Sequence, residues 1–240
     1  MPATTSKPEL LAKALKLLDK KFPAPAEPVT RPVLEELIYG VCREGCPTAQ
    51  ADATFLHFKK TFFDWNEIRV STVPEIHEAL QGVPNNGPKA QRIVEILQYV
   101  FEMYYSFELG DLDKKGLRQA AKQLARFTGV NDFTVAWVTQ RSLGGHAIPL
   151  DEPTLRVLRR LKVVEGEIDD LESARGTIEH YIPKTSGIEF TEHIATLAAD
   201  LCREKQPKCA ECPLKSDCPT GQENLAKKAD PKPKPNPKSR

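Results

Sequence analysis

Residues 202–218 read CREKQPKCAECPLKSDC, placing Cys202, Cys209, Cys212 and Cys218 with gaps of six, two and five residues between them. Four thiolates in so short a loop can surround a soft metal centre, either one tetrahedral zinc or a cubane iron–sulfur cluster. Structural disulfides are the weaker reading. The start of the chain, MPATTSKPEL, has no apolar signal core behind a basic segment, which predicts a protein of the reducing cytoplasm. The other two cysteines, Cys42 and Cys46, stand four apart on or just after an apolar helical stretch with no second pair nearby, and read as small buried thiols.

Upstream of the cysteine loop the pattern is helical throughout. Apolar residues recur at spacings of three and four over about 9–22, 33–42, 49–63, 73–80, 89–105, 115–125, 132–143, 152–162, 167–181 and 189–204. Breakers such as Gly82, Pro84, Gly110, Gly129, Gly144 and Pro149 fall between these stretches, and no alternating run of β-branched residues suggests a strand. The expected fold class is all-α. With 240 residues, 40% hydrophobic and 28% charged, and a mean hydropathy of −0.42, the chain has the balance of an ordinary globular protein of one large domain or two packed lobes. No apolar run approaches the roughly 18–20 residues of a membrane span. Lys and Arg number 34 against 33 Asp and Glu, so the net charge of +1 announces no polyanion partner. The basic residues concentrate at the end instead, where 226–240 carry five lysines and one arginine against Asp230 alone. The segment 222–240 is expected to be a disordered basic tail, its Lys/Pro run having no apolar residue to bury.

Two further stretches bear on the cysteine loop. LARFTGVNDFTVA (124–136) has a glycine turn between two helical patterns, and GGHAIPLD (144–151) is a Gly/Pro-rich loop ending in an aspartate ahead of LRVLRRL (155–161). Together with Gly82, Lys89-Ala90 and Ile93, and with the 6-2-5 cysteine spacing after ATLAADLC, they resemble the endonuclease III family of DNA glycosylases from about Pro32 to Cys218. The resemblance implies a two-lobed all-α fold with a helix-hairpin-helix and a C-terminal iron–sulfur loop. Its parts would be an N-terminal helix and Pro-rich connector (1–32) packing with the C-terminal lobe, a six-helix lobe (33–143) and an iron–sulfur lobe (144–221). It also implies a [4Fe-4S] cluster on Cys202, Cys209, Cys212 and Cys218. Double-stranded DNA, damaged or mismatched, would lie across the cleft of a monomer. Its phosphates would be held by the hairpin residues Gly129, Val130 and Asn131 and by Arg203, Lys205 and Lys208 of the first cysteine loop. Asn131 replaces the family's second glycine, a change eased by asparagine's tolerance of the left-handed region.

Base excision breaks a C1′–N bond through a cationic sugar, so a carboxylate is the minimum equipment. Asp151 occupies the family's aspartate position, although an Asp before Glu-Pro-Thr-Leu is also an ideal helix N-cap. Eighteen residues earlier, where bifunctional members carry the Schiff-base lysine, stands Phe133. A phenyl ring is no nucleophile, and lyase chemistry through that position is not expected. Two more departures add negative charge: Glu44 falls in the stretch where the family's gap-filling glutamine stands, with Gln50 nearby, and Glu152-Pro153 replaces Thr-His after the aspartate. The expected function is therefore that of a DNA-binding iron–sulfur protein of the base-excision-repair class, at most a monofunctional N-glycosylase using Asp151. The alternatives are a catalytically silent DNA-binding or structure-sensing module on the same scaffold and a zinc-stapled helical interaction protein. His57, His77, His146, His180 and His193 are scattered, none pairs at ligand spacing with another metal-type residue, and they read as surface or core residues.

Overall fold

A computed structural model describes residues 6–27, 29–164 and 171–229. Among the described residues there are thirteen α-helices, one 3-10 turn and no strand. The helices are α1 (Lys7–Lys21), α2 (Val33–Arg43), α3 (Thr48–Thr61), α4 (Trp65–Val70), α5 (Val73–Ala79), α6 (Asn86–Tyr104), α7 (Asp111–Lys114), α8 (Leu117–Leu124) and α9 (Asp132–Arg141), followed by α10 (Glu152–Arg160), α11 (Leu171–Tyr181), α12 (Gly187–Asp200) and α13 (Pro219–Ala229). The architecture is the two-lobed all-α fold that the resemblance implied. Among the described residues, no helix is long and apolar enough to cross a membrane.

Two hydrophobic cores define the lobes. The first is built by α2 to α9 around Leu37, Ile38, Phe58, Ile76, Ile93 and Leu97, all 0% exposed. The second joins Leu11 and Leu18 of α1 to Leu158, Ile178, Phe190 and Ile194 of α10 to α12. The chain's two ends therefore meet in one core, and truncating a buried phenylalanine such as Phe58 or Phe190 to alanine costs about 3–5 kcal/mol. In the first core α2 lies close against α9 at Gly40, where a Cβ would meet the Trp137 ring at 3.0 Å.

Local chemistry sets the helix starts. Thr72 and Glu75 form a capping box with a proline in the first turn of α5, Asp64 caps α4, and Asn131 and Asp151 cap α9 and α10. The expected six helices of 33–143 become eight, because α4 and α7 have six and four residues, too few to show a periodic stripe. The helix expected at 167–181 is described from Leu171. The expected disorder from residue 222 is corrected: residues up to Ala229 form α13, which has little apolar stripe of its own and is held by the cysteine loop. Residues 230–240 of the expected tail lie outside the described residues.

Candidate active site and metal centre

Asp151 is 7% exposed and faces a cavity of about 620 Å³ between the lobes. Its position follows from its role as N-cap of α10. Oδ1 accepts hydrogen bonds from the Thr154 amide at 3.0 Å and the Thr154 hydroxyl at 2.7 Å, while Oδ2 accepts from the Gly45 amide of the other lobe at 2.8 Å. Gly45 adopts φ +66, a left-handed conformation natural to glycine, as the chain leaves α2. That exit is held by Lys89, 4% exposed, whose ammonium donates to the carbonyls of Cys42 at 3.1 Å and Glu44 at 2.5 Å. Burial lowers the Lys89 pKa. Lys89 thus satisfies carbonyls at the end of α2 and fixes the loop that holds Asp151.

The cavity wall combines Pro47, Gln50 and Pro84 from the first lobe with Pro153, Arg156 and Arg203 from the second. Gln50 anchors its amide on the Gly82 carbonyl, so the glutamine near the cavity is Gln50, not position 44. The unbalanced negative charge expected at Glu44 is corrected: its carboxylate accepts from Arg92 at 2.6 Å and from the Asn131 side-chain amide at 2.9 Å. Glu152 points to solvent, 3.9 Å from Arg159, and is absent from the cavity lining. Cys42 is fully buried, its thiol pushed up to about 12 chiefly by burial; Cys46 borders the cavity and is raised for the same first reason. Neither is a ready nucleophile.

Phe133 is 6% exposed and stacks on Trp137 with ring centroids 5.9 Å apart. It borders a separate small cavity with Asp132, Leu150 and Arg175 and is not among the residues lining the Asp151 cavity. In the hairpin between α8 and α9, Gly129 has φ +84, and a Cβ there would lie 2.6 Å from the Arg92 carbonyl oxygen. Arg92 in turn donates from Nε to the Gly129 carbonyl at 2.8 Å. The left-handed conformation expected of Asn131 is not adopted. Its φ is −128 because it serves as the extended N-cap of α9, accepting from the Thr134 amide at 3.1 Å. The Val130 amide donates to the Phe127 carbonyl and the Asn131 amide to the Thr134 hydroxyl, so these two amides are used inside the turn.

The four clustered cysteines converge as their spacing suggests. Cys202, Cys209, Cys212 and Cys218 line one small cavity, each partly buried and free of disulfides. Donors surround the sulfurs: Arg160 Nη1 lies 3.3 Å from Cys202 Sγ, the Gly221 amide 3.2 Å from Cys218 Sγ and Asn224 Nδ2 3.5 Å from Cys209 Sγ. Burial first, and the neighbouring thiols after it, raise the pKa of Cys212 and Cys218. Four sulfurs lining one cavity and ringed by N–H donors suit a metal centre larger than a single ion, so the residues present fit a cubane cluster. The loop is also tied to the candidate active site, since Arg156 and Arg160 of α10 donate to the Cys202 carbonyl at 3.1 and 3.2 Å. Arg203, Lys205 and Lys208 are exposed on the first cysteine loop, and Arg203 reaches the Asp151 cavity.

Fold and site together define a two-lobed helix-hairpin-helix protein with a capped aspartate at the interlobe cavity and a C-terminal thiol cage. No family model matches the chain. It is 23% identical over 151 residues to an endonuclease III homologue of Encephalitozoon cuniculi and 26% identical over 148 residues to endonuclease III of Bacillus subtilis, in each case over 62% of this chain. These matches span 58% and 63% of the two relatives, or about three fifths of their length. Adenine DNA glycosylase of Arabidopsis thaliana is 26% identical over 108 residues, 43% of this chain and 17% of that one. Among solved structures, a trapped endonuclease III–DNA covalent intermediate superposes with a TM-score of 0.71 at 21% identity, covering 91% of this chain and 98% of that one. A thermostable thymine-DNA glycosylase gives 0.64 at 18%, covering 92% and 99%. The chain is endonuclease III-like in sequence and fold.

Proposed function

We propose that the protein binds damaged or mismatched duplex DNA as a monomer and excises a base as a monofunctional N-glycosylase. The observation that carries this reading is Asp151, buried at the wall of an interlobe cavity with both carboxylate oxygens aimed by hydrogen bonds from the two lobes. A nucleotide turned out of the stack places its sugar at that wall. The carboxylate then stabilises the cation that develops at C1′ as the base leaves, and it accepts the proton of the water whose oxygen bonds to C1′. Phe133, packed on Trp137, brings no amine to the sugar, so no Schiff base forms through that position. Phosphates are gripped by the Gly129–Asn131 hairpin, through Gly129 and the open first turn of α9, and by Arg203, Lys205 and Lys208. Cys202, Cys209, Cys212 and Cys218 hold a [4Fe-4S] cluster whose contribution is to brace this lobe. One observation favours a second reading, a silent structure-sensing module: among the described residues, every hydrogen bond of the Asp151 carboxylate serves the helix cap or the Gly45 loop.

The test is a screen of duplexes with single damaged or mismatched bases, developed with alkali to reveal abasic sites, on protein whose iron has been counted. The proposal expects alkali-dependent cleavage, no borohydride-trapped adduct and about four irons per chain. Asp151→Asn lowers the rate roughly 10²–10⁴-fold while binding persists, by the usual contribution of acid–base catalysis. Excision unchanged in Asp151→Asn reduces the residue to a cap. Trapping an adduct overturns the monofunctional assignment. Zinc in place of iron overturns the cluster. DNA binding without cleavage of any substrate selects the silent module.

A further inference from the structure

Away from the interlobe cavity and the cysteine loop, Asp19 in the last turn of α1 meets Glu189 and His193 of α12. One oxygen of each carboxylate and one imidazole nitrogen all lie within 4.8 Å of one another. Glu189 and His193 are four apart on α12 and so share a face, and Asp19 reaches them from a helix more than 160 residues away in the chain. Glu189 and His193 do stand at a ligand spacing, against the expectation that no histidine pairs so, while the burial of His193 agrees with its reading as a surface or core residue.

His193 makes the cluster more than a patch of acids. It is 2% exposed, and its Nε2 lies 3.4 Å from the Pro23 carbonyl oxygen. A carbonyl can only accept, so Nε2 is the donor of that contact and Nδ1 is the nitrogen turned toward the two carboxylates. That Nδ1 lies 2.9 Å from Asp19 Oδ1, an ion-pair distance when the ring is protonated, but in a geometry that makes no hydrogen bond. Neither carboxylate has a lysine or arginine partner among the described residues. Asp19 and Glu189 also share a side-chain hydrogen bond, so the protons now held among the three groups are what a cation would displace, and with the ring neutral three lone-pair donors face a common point.

We propose that Asp19, Glu189 and His193 form a divalent transition-metal site, suited to zinc, that fastens α1 to α12. One imidazole and two carboxylates are a donor set for a borderline cation, whereas magnesium and calcium prefer oxygen alone. Bonds of about 2.0–2.2 Å set donor atoms roughly 3–3.5 Å apart, a spread the cluster can reach with small side-chain movements. The Pro23 carbonyl on Nε2–H fixes the tautomer that leaves Nδ1 free to ligate, the usual outer partner of a metal-bound histidine. Asp19, with its side chain 39% exposed, leaves the outer side open for water to complete the coordination. The site is separate from the thiol cage and independent of the proposed excision chemistry.

The test titrates the full chain, as purified, with zinc chloride by calorimetry beside Asp19→Asn and Glu189→Gln. Both substitutions keep shape at side chains that are not fully buried, and circular dichroism and iron content check that each variant is folded. The proposal expects one zinc per wild-type chain, at least a tenfold weaker affinity in either variant, and a zinc-edge X-ray absorption spectrum with nitrogen and oxygen neighbours only. Absence of zinc binding by the wild type overturns it, as does equal binding by the variants. A sulfur shell near about 2.3 Å also overturns it, by sending the metal to the cysteines.

Discussion

Glu192 belongs to α12 of the second lobe, but its partners come from the first. Its carboxylate accepts from Arg43 at 3.2 Å, Arg141 at 2.5 Å and the Thr48 hydroxyl at 2.6 Å. Burial pushes its pKa up, but the two guanidiniums and these hydrogen bonds outweigh that, and the pKa ends below the usual carboxylate range. A depressed native pKa contributes stability that is present above the unfolded value and lost as pH falls through the folded one. Glu192→Gln should therefore cost about 3–5 kcal/mol near neutrality by leaving buried arginine charge unpaired. The gap between variant and wild type should narrow on acidification below the ordinary carboxylate range. Urea unfolding of both proteins at several pH values checks this, and a pH-independent gap refutes the ion-pair account. None of this was legible in the sequence, because Arg43, Arg141 and Glu192 show no relation until the lobes close. Asp151 was legible as a cap and as a candidate carboxylate, since Asp, Pro and Thr stand in local order. Its bond to Gly45, 106 residues away, was not.

At the level of elements, the hairpin shows how a turn can be located correctly and misread in detail. Gly129 was recognised as the turn glycine, and its φ of +84 and its approach to the Arg92 carbonyl explain why no Cβ fits. At Asn131, two residues on, the sequence suggests tolerance of a left-handed conformation, whereas the helix that follows needs an extended cap and Asn131 supplies one. Gly129→Ala should cost about 1–3 kcal/mol in backbone strain alone. It should also weaken duplex binding, because relieving the clash displaces either the turn or α6. Thermal unfolding and a binding isotherm on the same variant separate the two effects, and wild-type values in both would refute the steric argument. Short elements were hidden for a different reason. With four or six residues α7 and α4 carry no period, and α13 is organised by sulfur contacts instead of an apolar stripe.

On the scale of the whole molecule, the net charge of +1 gives DNA little general attraction, so any affinity must come from local clusters of basic groups. Duplex affinity should fall linearly in log–log terms with salt, at about −0.9 per phosphate neutralised. Removing residues 230–240 should make that slope shallower while leaving binding measurable through the hairpin and the first cysteine loop. A shortened chain that binds nothing at low salt would reduce the hairpin to architecture. The all-α class and the two-lobed plan were legible in the periodic stretches and the cysteine spacing, whereas the registration of the lobes depends on single bonds between distant residues. Two neighbouring residues concentrate that dependence. Glu44 holds the Asn131 amide of the hairpin, and its neighbour Gly45 holds the Asp151 carboxylate. The place where a strand would be gripped and the place where a sugar would react are thus measured from a common origin, like two jaws of a gauge set on one post. Breaking either contact at that post would therefore be expected to shift the hairpin and Asp151 relative to one another.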